Sequence, residues 1–204
     1  PTERTPIQQE LVLPKAEAPW RIIGEAMDTY IIIEQNQQLL FIDKHAAHER
    51  ILFEKLRNQQ DALASQLLLQ PILCAPERED CALLLENTDI LSDYGFALSD
   101  YGDGTLAIRQ IPADISEQEA QSLLLQLAEQ LRRGKKLDPK TLRDEMLHTI
   151  ACKAAIKGGM HSDRLELQRL VEQVLSREDL KYCPHGRPIC AVMTRSQLER
   201  QFKR

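Results

Sequence analysis

Nowhere in the 204 residues does an apolar run approach the roughly 20 needed to cross a bilayer, so no membrane-spanning helix is expected. The N-terminus has no basic start followed by an apolar core, and so shows no secretory signal. Internal repeats and low-complexity tracts are absent. Cysteine is present, but in the wrong number for a disulfide framework. Cys74, Cys81, Cys152, Cys183 and Cys190 are an odd, widely spaced set, which points to reduced thiols in a cytoplasmic setting, some available as ligands. An overall basic surface is also missing. With a formal net charge of −5, the chain should hold nucleic acid weakly unless something else tethers it.

What is there fits a soluble globular protein, long enough for one large domain or two small ones with real cores. Charge is unevenly spread. Residues 77–130 carry 2 basic and 12 acidic side chains, whereas residues 131–204 carry 17 and 9. A polyanion could approach the basic third only. Residues 1–18, with Pro1, Pro6 and Pro14 and no clear period, read as the end of a linker. Strand patterns cover 20–25, 29–34 and 38–42, the last two joined by the turn Gln35-Asn36-Gln37, and a helix runs from about His45 to Gln60. Residues 66–134 read as a β-α-β-β-α unit. Its strands are 66–74, 94–99 and 105–111; its helices are 77–92 and one capped by Ser116. Helices follow at 139–157, ending at Gly158-Gly159, and at 163–176, capped by Ser162; a strand at 189–193 and a helix capped by Thr194 close the chain. The fold class expected is mixed α+β.

Two clusters carry possible chemistry. In Asp43-Lys44-His45-Ala46-Ala47-His48-Glu49 a carboxylate sits at a helix start, with His45 and Glu49 on one helical face. In Cys183-Pro184-His185-Gly186-Arg187-Pro188 a thiol and an imidazole lie on a bend where Gly186 supplies turn freedom. These are ligand types that a divalent transition metal takes. Taken singly, a His-x3-Glu pair is more often a surface contact, and Cys152 on an Ala-rich helix is usually core filling. If the three segments pack together, two His, two Cys and one Glu suffice for one zinc site or for two metals sharing a ligand. Cys74, Cys81 and Cys190 read as core thiols, His148 as a partner to a ligand one turn from Cys152, and His48 and His161 as belonging to no cluster.

The chain resembles the C-terminal domain of MutL-type mismatch-repair proteins of the nuclease-bearing class. Asp43, His45, Ala46, Glu49 and Glu54 fall on the pattern Asp-Gln-His-Ala-x2-Glu-x4-Glu, with a departure at Lys44, where the family usually has Gln. Ala151-Cys152-Lys153 matches Ala-Cys-Arg/Lys, residues 183–188 match Cys-Pro-His-Gly-Arg-Pro in full, and Phe202-Lys203-Arg204 matches a terminal Phe-x-Arg. The resemblance covers about residues 18–204.

The resemblance implies a dimerisation and endonuclease subdomain built from 18–65 and 135–204, whose sheets join between protomers, with 66–134 as an inserted regulatory subdomain. It implies two divalent metals on His45, Glu49, Cys152, Cys183 and His185. Asp43 and Glu49 would be catalytic, and Lys153, Arg187, Phe202 and Arg204 would support phosphate or ligands. Zinc suits the thiolate and imidazole donors, Mn2+ an oxygen-rich position at Asp43 or Glu49. Water activated by the metals would then attack a DNA phosphodiester. Implied partners are a second copy of the chain, double-stranded DNA, MutS and the replication sliding clamp, with ATP bound only by an N-terminal domain outside this sequence. The implied setting is the bacterial cytoplasm, at the nucleoid. Family members bind the clamp through a Gln-x2-Leu/Ile-x-Pro-like segment at the start of the regulatory unit. Gln70-Pro71-Ile72-Leu73-Cys74-Ala75 occupies that place with Pro76 one residue late, so Gln70 and Leu73 are the expected contacts; Gln9–Pro14 fits the letters but stands in the linker. Two readings stay open: a nicking endonuclease, and a zinc-stabilised dimerisation and clamp-binding module without catalysis. Asp43 separates them, because a structural zinc site does not need it.

Overall fold

The computed structural model describes residues 19–59, 61–134, 138–155, 162–177, 180, 182–183 and 186–203. Helices and antiparallel sheets make it a mixed α+β protein. The chain forms two compact units, one from residues 1–51 with 156–204 and one from 52–155.

The first unit is built on a four-stranded antiparallel sheet of order β1-β2-β3-β7. Its strands are β1 (Trp20–Ala26), β2 (Tyr30–Gln35), β3 (Gln38–Asp43) and β7 (Cys190–Thr194). Alternation decides the faces. Ile31, Ile33, Leu40, Ile42 and Cys190 point inward to a core completed by Ala46 and Ala47 and by Leu167, Leu170, Val171, Val174 and Leu175. The first two belong to α1 (Lys44–Asn58), the rest to α6 (Arg164–Ser176). The β2–β3 turn carries left-handed backbone at Asn36 and Gln37, as a two-residue hairpin of this twist demands. Asp163, not Ser162, caps α6: its carboxylate accepts from Glu166 N–H at 2.8 Å while the Glu166 side chain accepts from Asp163 N–H. The reciprocal box needs an acid three residues on, which Asp163 has. A last helix, α7 (Arg195–Gln201), starts from the expected Thr194 cap, with Gln197 closing that box.

In the second unit a three-stranded sheet of order β4-β6-β5 is formed by β4 (Ser65–Cys74), β5 (Ala97–Gly102) and β6 (Thr105–Pro112). The acidic helix expected over 77–92 is two helices, α2 (Arg78–Glu86) and α3 (Thr88–Asp93). Asn87 breaks it by turning its side-chain amide back onto the Leu83 carbonyl, at 2.7 Å. Helix α4 (Glu117–Gly134) buries Ala120, Leu123, Leu124, Leu127, Ala128 and Leu131, a stripe at helical spacing, against Phe96, Leu106, Ile108 and Leu84. Helix α5 (Pro139–Ala154) starts on Asp138 and ends earlier than expected, because Ala155 is already extended; Gly158 and Gly159 lie outside the described residues. The boundary between the units falls within α1, between Ile51 and Leu52.

Candidate metal centre

Strand β3 delivers the chain into α1 at Asp43, and the geometry of that junction follows from the capping rule. The Asp43 carboxylate accepts from the Ala46 N–H at 2.9 Å, so it satisfies an otherwise orphaned donor of the first turn. The Asp43 N–H donates to the Ile189 carbonyl at 2.9 Å and the Lys44 N–H to the Thr29 carbonyl at 3.0 Å. One turn on, His45 Nε2 lies 3.8 Å from a Glu49 carboxylate oxygen; Glu49 is 2% exposed and His45 partly exposed. An imidazole and an enclosed carboxylate thus stand side by side, with a second carboxylate at the helix start.

Cys183 is buried in the same core as Ala46 and Ala47, the neighbours in sequence of His45. Its segment turns back sharply. The Cys183 N–H donates to the Arg187 carbonyl and the Gly186 N–H to the Cys183 carbonyl, both at 2.8 Å, and Gly186 takes the left-handed φ of +77°. His185 and Arg204 lie outside the described residues. The donor set of imidazole, carboxylate and enclosed thiol suits a divalent transition metal, zinc above all. Among the described residues, no three His, Cys, Asp or Glu side chains are gathered closely enough to hold an ion.

The other expected site residues are distributed as follows. Cys152 is half-buried on α5, in the second unit. Its neighbour Lys153 donates from Nζ to the Ser122 hydroxyl on α4, at 3.2 Å. His148 packs its ring edge-on against Phe53, with centroids 5.9 Å apart, and so has a packing role. Arg187 and Phe202 are exposed. Cys74, Cys81 and Cys190 are buried thiols, as expected. Burial pushes all three thiol pKa values up, that of Cys190 to about 12.

A family model described as the MutL C terminal dimerisation domain matches residues 23–162, more than half of the chain. The chain belongs to that family. It is 33% identical over 186 residues to a DNA mismatch repair protein MutL of Clostridium botulinum (strain Loch Maree / Type A3), covering 90% of this chain and 28% of that protein. To the MutL of Caldanaerobacter subterraneus subsp. tengcongensis it is 34% identical over 184 residues, covering 90% and 31%. The MutL of Thermoanaerobacter pseudethanolicus is 32% identical over 184 residues, covering 90% and 30%. The chain therefore spans about three-tenths of the length of these MutL relatives.

Within this MutL family chain, strand β4 holds a feature that sequence reasoning missed. Leu67 pairs with Gln110 and Ile72 with Ile108, so residues 68–71 bulge opposite Arg109 alone. The bulge turns Leu69 fully into solvent (103% exposed), with Gln70 and Pro71 beside it. Gln70 and Leu73 are exposed as well, Leu73 at 51%. Read from Gln66, the letters Gln66-Leu67-Leu68-Leu69-Gln70-Pro71 satisfy Gln-x2-Leu-x-Pro without a mismatch. The signal was present, but an apolar run of this length reads as a buried strand. Among the described residues, no helix is long and apolar enough to cross a membrane.

Proposed function

We propose that the chain is the metal-dependent nuclease and dimerisation module of a longer MutL protein, nicking double-stranded DNA in mismatch repair. The observation that carries the reading is the α1 junction. A buried Glu49 beside His45, with Asp43 at the same helix start, is a poor choice for a purely structural helix. The ligand set remains the one the motifs imply: His45, Glu49, Cys152, Cys183 and His185. Zn2+ belongs with the thiolate and imidazole donors, Mn2+ with the carboxylates. Bound there, the ions supply Lewis-acid stabilisation of charge on the phosphate and the leaving oxygen. The hydrogen bond from the Ala46 N–H holds the Asp43 carboxylate at the helix start, which favours preorganisation. Arg187, exposed beside Cys183, supplies a cation for the DNA backbone.

Two binding surfaces complete the reading. The face of the first sheet opposite its core carries Ile32, Leu39, Phe41 and Met193, none of them in the hydrophobic core, and Tyr30, which is exposed. A second copy packed on this face would make the homodimer. The sliding clamp would take Leu69 and Pro71 of the bulge, with Gln66 at its entry, in preference to Gln70 and Leu73. Clamp tethering would supply the DNA proximity that a net charge of −5 does not. MutS, the ATP-binding domain and a place at the nucleoid in the cytoplasm belong to the whole protein and follow from the same reading.

The test is Mn2+-dependent nicking of supercoiled plasmid by the chain and by Asp43→Asn, with and without clamp. Absence of nicking under any metal would leave the zinc-stabilised dimerisation and clamp module as the function, and nicking that survives Asp43→Asn would overturn the assignment of the activity to this site. Failure of zinc to co-purify would remove the ligand set.

A further inference from the structure

Among the described residues of the first unit, the most enclosed charge belongs to a residue for which the nicking reading has no use. Lys44 is 1% exposed, yet its ammonium is paired with Glu25 of β1, which is 10% exposed. Charges are this deeply buried only when paired and hydrogen-bonded. The pairing depends on an irregularity in β1. Ile22 lies opposite Ile33, but Gly24 lies opposite Ile32, so Ile23 is an extra residue. Strict alternation from Ile22 would send Glu25 to the outer face. The bulge brings Glu25 opposite Ile31 instead, on the core side, where Lys44 meets it. Lys44 is also the first residue of α1, with Asp43 and His45 on either side. The first turn of the helix is thereby held from three directions. β1 holds it through the ion pair, Thr29 through the Lys44 N–H, and Ile189 through the Asp43 N–H.

We infer that Lys44 is a positioning residue: its ion pair with bulge-directed Glu25 fixes the first turn of α1, and with it the presentation of Asp43 and His45 to a divalent ion. The metal part of this inference rests on the nuclease reading; the anchoring part does not. Losing either partner leaves the other charge enclosed without its counter-ion, whereas replacing both with amides leaves a neutral pair able to hydrogen-bond.

The experiment compares the unaltered chain with Lys44→Gln, Glu25→Gln and the double variant. Amide hydrogen exchange at Ala46 and Ala47 is read in the metal-free chain, and Co2+ is titrated by its visible absorption. Each single variant should speed exchange at these amides and weaken Co2+ binding by about tenfold or more, and the double should recover most of both. A lower melting temperature with unchanged exchange at Ala46 and an unchanged Co2+ spectrum would reduce the pair to a generic stabiliser and overturn the inference. So would a double variant no better than the singles, or one that does not fold. If the singles do not fold, the charge-swapped pair Glu25→Lys with Lys44→Glu decides: folding with near-normal Co2+ binding supports the inference, and any other result overturns it. An unaltered chain that binds no Co2+ would sink the nuclease reading, while the exchange measurement still decides the anchoring.

Discussion

Asp43 caps α1 and, under the proposed nuclease function, also faces the metal, two duties that a single substitution usually confounds. As the cap of α1 it is replaceable by Asn, which caps about as well; as a metal-facing carboxylate it is not. Asp43→Asn should therefore abolish Mn2+-dependent nicking with the melting temperature nearly unchanged, whereas Asp43→Ala should also cost about 1 kcal/mol of stability in denaturant titration. Leu69 gives the opposite contrast. Being fully exposed, it can be changed to Asp with stability held within about 0.5 kcal/mol. Clamp binding, measured by surface plasmon resonance, should be lost in Leu69→Asp and survive in Leu73→Asp. Cys190 sets a pH limit. Burial raises its pKa from 9.0 to about 12, so the folded thiol keeps its proton where the unfolded one loses it. Its contribution is fully present below pH 9 and declines as pH rises from there towards 12, and a thiol reagent at pH 8 should leave native Cys190 unlabelled. At this scale the sequence disclosed the gathering of Asp43, His45 and Glu49 at the start of α1, because Asp, His and Glu are conspicuous beside a helix that also packs Ala46, Ala47 and Leu52. It did not disclose the burial of Lys44, since lysine is ordinarily a surface residue and its partner depends on a bulge that no periodicity announces.

Among the elements, the hairpins and amphipathic helices were legible because their periods of 2 and 3.6 are strong over several turns or pairs. Boundaries set by one side chain were not. The Asn87 break, the shift of a cap from Ser162 to Asp163 and the bulge in β4 each hinge on a local hydrogen bond or register change. The outer face of the first sheet carries its own prediction. Phe41, directly opposite Ile32 and Ala191, lies at the middle of the proposed dimer contact. Phe41→Glu should leave the inner core of Ile31, Leu40 and Ile42 intact and convert a dimer to a monomer in sedimentation velocity. A Phe41→Glu chain that still sediments as a dimer would move the interface elsewhere.

For the molecule as a whole, the two clusters of buried residues each close within their own unit, but the units differ in how the chain supplies them. The second unit is a continuous stretch, 52–155, whereas the first needs residues from both sides of it. This has a meaning on the ribosome. The pairing of Leu39 with Met193 cannot form until β7 has emerged, long after β1, β2 and β3. In the interval, the Leu40 and Ile42 face is without β7 and α6, and β3 is an open edge inviting other chains. Chains arrested before residue 190 should therefore show protected amides in β4 and β6 by pulsed hydrogen exchange, with β3 still exchanging. Synthesis order makes the segment that carries Asp43 and His45 one of the last to become fixed, so a truncated product cannot present the finished β3–α1 junction.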